Sequence, residues 1–273
     1  MSLSSWKQEF YPSRASTTPC GSACAHARRK WVGMLPHNLK RHGCRIDEDN
    51  AGIWGEEGYA ISISTRTCAL CVHYLDRASL GACIGCPLDE VVGIPCGRAG
   101  DDSDPWSVFS IAGDVRPMVL ALTEAEAWHT YKRGLVGDQH GLDCILDGYL
   151  YTAAGGSSAR NPFSDKQPVQ LARMDEASLV TAIEDCRKFM VGQEELISSL
   201  EAPDLVQLGS DFWVFRNCIR PPTPPELSVS DDPDICRTFL EKVRSFPILT
   251  CELVDGVLFI KPVPEVTTEK PCQ

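Results

Sequence analysis

Cys68-Ala-Leu-Cys71 and Cys83-Ile-Gly-Cys86-Pro87, eleven residues apart and followed by Cys96, form the stretch on which a reading of this chain turns. A C-x2-C turn sets two sulfurs on one side of a tight loop, and two such turns supply four donors at tetrahedral spacing. Thiolates are soft ligands and zinc asks only for tetrahedral packing. The predicted occupant is therefore one zinc ion held by Cys68, Cys71, Cys83 and Cys86. Gly81 and Gly85 give the backbone freedom a knuckle needs, and Pro87 stiffens the exit of the second one. Cys96 and His73 stand near enough in sequence to replace one of the four. A four-sulfur site leaves no open coordination position, so the ion is predicted to be structural, with no catalytic residues. Buried free thiols, disulfides and an iron–sulfur cluster are the competing readings. The compact C-x2-C-x2-C run of ferredoxins is missing.

Just upstream, Tyr59, Ile61 and Ile63 alternate with Ala60, Ser62 and Ser64, which predicts a short strand feeding into Cys68. The knuckles resemble those of the zinc-ribbon and treble-clef group. Taken with Trp6-Lys-Gln-Glu-Phe10-Tyr-Pro12, His26-Ala-Arg-Arg-Lys-Trp31 and Cys83-Ile-Gly-Cys86-Pro-Leu88, they also make the front of the chain similar to uncharacterised bacteriophage-encoded proteins. That resemblance brings no activity with it. It implies an encounter with a host or defence protein.

The chain has 273 residues, 43% hydrophobic and 23% charged, enough for two ordinary domains with buried cores. Its 37 acidic and 26 basic residues leave a net charge of −11. That balance argues against nonspecific nucleic-acid binding by the whole surface and suits a basic partner. Fourteen cysteines fall below the density of a secreted disulfide scaffold. The first ten residues show no basic-then-apolar leader, and no stretch reaches the ~20 apolar residues of a membrane span. A reducing cytoplasm, with thiols free for metal, is the predicted location.

Residues 1–23 are expected to form an arm, with Trp6, Phe10 and Tyr11 docking on the body. Cys20, Cys24, His26 and Cys44 are candidates for a second metal site, although C-x3-C-x-H is not a standard spacing. Residues 24–42 predict a helix bent at Gly33 and Pro36. Arg28, Arg29, Lys30, Lys40 and Arg41, with Trp31 among them, mark it as the candidate nucleic-acid face. Asp47, Glu48, Asp49, Glu56 and Glu57 follow at once and are expected to neutralise it. His37, His42, Asp47 and Asp49 have the chemical types for water activation, in no recognised spacing.

Further on, Asp101, Asp102 and Asp104 predict a solvated loop, and Asp114 the cap of a helix that runs to Arg133. Met118, Leu122, Ala125 and His129 should face inward on it, with Glu124, Glu126 and Lys132 outside. Leu142–Tyr151 fits either a helix or a strand. A glycine- and serine-rich stretch places the domain boundary near 155–172.

Asp175 caps a predicted helix to Leu200, with a four–three seam of apolar residues. Asp211–Arg216 predicts a strand from its aromatic and β-branched content. Pro221–Pro225 is expected to be a stiff linker, Asp234–Phe246 a helix, and Asp255-Gly256 the turn of a hairpin. The fold class is thus α+β: a zinc-knuckle domain with helices over residues 1–155, a small α+β domain over 172–264 ending in a hairpin, and a loose tail over 265–273.

No Ser/His/Asp motif, H-E-x-x-H, Walker loop or glycine fingerprint is visible. The expected function is that of a noncatalytic protein-interaction protein, possessing a structural zinc and inhibiting a host or defence protein in the phage manner. A nucleic-acid-binding zinc protein and a metal-assisted nuclease or hydrolase are the alternatives.

Overall fold

The expected N-terminal arm is a helix. In the computed structural model, α1 (Leu3–Phe10) opens with a capping box in which the Ser2 and Ser5 hydroxyls each accept from the other's backbone N–H. Leu3, Trp6 and Phe10 follow at helical spacing and are buried. The structure describes residues 2–47, 49, 51–58, 60–75, 83–93, 104–155, 169–217, 227, 229–230 and 232–263. Cys96, Asp101, Asp102, the 221–225 linker and the 265–273 tail lie outside the described residues.

The chain divides into two units, Met1–Gly134 and Leu135–Gln273. In the first, the predicted bent helix is present as α2 (Ala23–Gly33) and α3 (Pro36–His42), with Pro36 in the first turn of α3, where its missing N–H costs nothing. Trp6 Nε1 donates to the Gly33 carbonyl at 2.8 Å and seats α1 on α2. Three short strands, β1 (Cys44–Ile46), β2 (Gly52–Gly55) and β3 (Ala60–Ser62), form an antiparallel meander with Arg45 opposite Trp54 and Ile53 opposite Ile61. Ile53 and Ile61 turn their shared face to the core.

β3 runs through a 3-10 turn, Thr65–Thr67, to Cys68, the N-cap of α4 (Ala69–Tyr74). Cys86 is likewise the N-cap of α5 (Pro87–Val92). Asp104 caps α6 (Pro105–Ala112) by accepting from the N–H groups of Trp106 and Ser107. Asp114 accepts from Arg116 N–H at the start of α7 (Arg116–Val136). Met118, Leu122 and Ala125 are buried as their spacing predicts. Lys132, expected outside, is buried instead: its Nζ bonds both oxygens of Glu90 at 2.6 and 2.8 Å, and Trp128 Nε1 bonds Glu90 at 2.6 Å. This enclosed pair pins α5 to α7.

In the second unit the ambiguous Leu142–Tyr151 stretch is helical, as α8 (Leu142–Ala153). Asp175 caps α9 (Glu176–Met190) as predicted, but the helix stops at Val191, which turns extended, and resumes as α10 (Glu194–Ser199). The predicted strand Asp211–Arg216 is the end of a helix, α11 (Ala202–Asn217). Strand propensity loses here to burial: Leu205, Leu208, Phe212 and Trp213 are buried at helical spacing, and α11 lies with its backbone against α8. A Cβ added at Gly148 of α8 would fall 1.8 Å from the Val206 carbonyl oxygen, and one at Gly209 of α11 1.9 Å from that of Ile145.

α12 (Pro233–Val243) buries Cys236, Phe239, Leu240 and Val243. The predicted hairpin follows: β4 (Leu249–Val254) pairs antiparallel with β5 (Val257–Pro262) across Asp255 and Gly256, both at positive φ (51° and 78°). That left-handed pair is the turn an Asp-Gly sequence favours. Between these elements the Arg216 guanidinium is fully enclosed, bonding Asp185 at 2.7 Å, the Tyr149 hydroxyl at 2.9 Å and the Pro247 carbonyl at 2.7 Å. The sequence places the boundary at 155–172; the structure divides ahead of α8, because α8 packs on α11 and α9.

Candidate metal centre and ligand cavity

Both C-x2-C pairs stand at helix N-termini, where backbone N–H groups and the helix dipole favour a thiolate. The Cys71 thiol bonds Cys68, the N–H groups of Cys71 and Leu70 add to it, and the Lys30 charge lies nearby; together they bring the Cys68 thiol down to about 6 against burial. In the second pair, Cys86 N–H donates to the Cys83 carbonyl at 2.9 Å, and Gly85 sits at φ 72°. Only glycine enters that left-handed region without strain, and the turn draws the ends of the pair together. Both pairs thus place a cysteine at a helix N-cap. Among the described residues, however, no three His, Cys, Asp or Glu side chains gather into a group that could hold an ion. His73, a candidate substitute, has its Nε2 2.7 Å from the Thr18 carbonyl.

A cavity of about 260 Å³ opens beside the first pair. Its walls are apolar, with Trp31, Leu88, Trp106, Met118 and Leu122 from four helices, and Cys68 and Cys71 complete it. Lys30 also reaches it, but its ammonium is committed to Ser62 O (3.1 Å), Thr67 O (3.3 Å) and Thr67 Oγ1 (2.7 Å). Lys30 is 3% exposed, and burial lowers its pKa to about 8. It braces the turn that delivers Cys68.

The other candidate residues are dispersed or otherwise engaged. The Cys20 thiol donates to the Tyr74 hydroxyl, Cys24 to Leu122 O, Cys44 to His42 O, and His26 Nε2 bonds Ser13 O. Burial pushes the Cys24 thiol up to about 12, which keeps it protonated. These four residues are not brought together as a second metal site. In the basic stretch, Arg28 pairs with Glu126, Arg41 with Glu9, and Arg29 bonds the Glu9 carbonyl. The partners are not the acidic run that follows. Asp47 instead closes the β1–β2 hairpin, accepting from Ala51 N–H, Gly52 N–H and Trp54 Nε1. Of the five residues proposed for nucleic acid, Lys40 alone is exposed without a partner among the described residues.

His42 is joined neither to Asp47 nor to a cavity wall, but to Ser5 and Glu9. Ser5 Oγ lies 2.8 Å from His42 Nδ1, and His42 Nε2 lies 3.0 Å from Glu9 Oε2. These are the residue types of a hydrolytic triad, spread over thirty-seven positions where no motif would show them. The Ser5 hydroxyl also has the Ser2 carbonyl within reach at 2.8 Å and accepts the Ser2 N–H, so it is engaged in the capping box of α1. Glu9 is shared with Arg41. The array clamps α1 to α3.

Comparison of the chain with protein-family models, curated proteins and solved structures finds no match in any of the three. Its class therefore follows from its own architecture: an α+β protein, mainly helical, with a three-stranded and a two-stranded sheet among the described residues. No helix among the described residues is long and apolar enough to cross a membrane.

Proposed function

We propose that the first unit is a noncatalytic protein-interaction module, braced by zinc, whose binding feature is the cavity beside Cys68 and Cys71. The cavity carries this reading. Its walls include two tryptophans, a methionine and two leucines, which suit the aromatic or branched aliphatic side chain with which one protein anchors itself on another. A host or defence protein is the partner implied by the phage resemblance. The zinc would be held by Cys68, Cys71, Cys83 and Cys86, drawing the two knuckles together and holding α4 and α5 around the cavity. The support for it is the shape of each pair and the depressed Cys68 thiol, since the thiolate is the form that binds metal.

Metal analysis of the full chain should return about one zinc per chain, falling to background in the Cys83→Ser/Cys86→Ser variant. N-acetyl-phenylalaninamide, standing in for the anchor, should change the fluorescence of Trp31 and Trp106 saturably, and Leu122→Trp, which fills the cavity, should abolish the change. Metal-free protein would remove the zinc from the proposal, and a linear, unsaturable response would remove the cavity.

A further inference from the structure

A second concavity in the same unit, of about 450 Å³, lies between the end of α1 with the loop after it and the segment from β3 to the 3-10 turn. Three cations line it: Lys7, Arg14 and Arg66. All three are exposed, and none has a hydrogen-bonded or ionic side-chain partner among the described residues. Among the described residues no carboxylate lines the concavity. This contrasts with Arg28, Arg41, Arg116 and Lys132 of the same unit, which are each paired with an acid. It also runs against a chain in which acids outnumber bases 37 to 26. The hydroxyls of Ser16 and Ser62 also line the groove and make no hydrogen bond among the described residues, and Tyr11 supplies an aromatic edge. Three like charges around one hollow repel each other until an anion neutralises them.

We infer that this groove binds a run of two or three phosphates. Guanidinium forks match phosphate oxygens, the ammonium adds a point charge, and serine hydroxyls donate to what remains. The volume suits a nucleotide-sized ligand. Such phosphates come either as the polyphosphate of a free nucleotide or as successive diesters of a single strand. The inference is independent of the metal and of the apolar cavity.

The test uses the full chain, titrated with a fluorescein-labelled ten-nucleotide oligothymidine by anisotropy and with adenosine triphosphate by calorimetry, each between 20 and 200 mM salt. Saturable binding of at least one probe is expected. Binding of the strand alone identifies diesters as the source, and binding of the triphosphate alone identifies a nucleotide. For the strand, log K against log salt should have a slope of about −2, as three phosphates contribute roughly −0.7 each. Arg14→Ala and Arg66→Ala should each weaken binding at least about threefold and flatten that slope by roughly 0.7, with thermal midpoints unchanged because both side chains are exposed and unpaired. Lys40→Ala, an exposed cation outside the lining, should leave affinity within about twofold. Failure of both probes to saturate at 20 mM salt overturns the inference. So does equal weakening by Lys40→Ala, which would mark diffuse attraction in place of a site.

Discussion

At the residue scale, His26 shows how the fold resets a side chain. Its ring packs edge-on against Tyr11 at 5.0 Å, with Nε2 donating to Ser13 O and Nδ1 buried without a partner. Burial lowers its pKa below the ordinary range, outweighing the lift from the Ser13 bond. As pH falls through about 6.5 the unfolded chain takes up a proton that the native state refuses, so stability declines on the acid side. Urea unfolding at pH 7.5 and 5.5 should show a lower midpoint at 5.5, and His26→Gln should reduce that difference. An unchanged difference in the variant would assign the acid sensitivity to other groups. The sequence offered His26 as a metal ligand, since a histidine near two cysteines has the right chemistry. Its actual acceptor, a carbonyl thirteen residues back, leaves no trace in local spacing.

At the element scale, the glycine contact between α8 and α11 explains why a stretch rich in β-formers is helical. The two helix backbones come so close at Gly148 and Gly209 that only glycine permits the approach. Gly148→Ala and Gly209→Ala should each destabilise the protein by about 3 kcal/mol, because the added methyl meets a carbonyl oxygen and not a movable side chain. Gly134→Ala, inside α7 with nothing within 4 Å of the new Cβ, should instead stabilise it by about 0.5–1 kcal/mol. Equal effects from the three substitutions in denaturant melts would show that helix propensity, not the close approach, governs these sites. Periodicity and caps made α2, α7, α9, α12 and the hairpin legible beforehand. The identity of α11 was hidden because its signal lies in a facing glycine sixty-one positions away.

At the scale of the whole molecule, charge is unevenly divided. Met1–Gly134 carries 14 basic and 15 acidic residues, and Leu135–Gln273 carries 12 and 22. The acidity of the chain therefore belongs to the second unit, and a cationic groove in the first is not opposed by its own surroundings. The two units also differ in what they are proposed to depend on. Unit two is held by apolar helix packing and the enclosed Arg216–Asp185 pair. If zinc draws the knuckles together, a chelator at neutral pH should speed amide exchange across the described parts of 60–93 and leave α8, α9 and α11 protected. Unchanged exchange in 60–93 would count against the metal.

By itself the sequence determined the α+β class, the paired C-x2-C motifs, the starts of α2, α7, α9 and α12 and the final hairpin, because caps, periodicity and turn chemistry act over a few neighbouring residues. Tertiary structure alone decided that Lys30 and Lys132 are buried, that Arg28 and Arg41 are paired, and that Lys7, Arg14 and Arg66 share one groove. Those outcomes depend on which distant backbone or carboxylate arrives beside each cation, and the free energy of a charge is set by that company and not by its place in the chain.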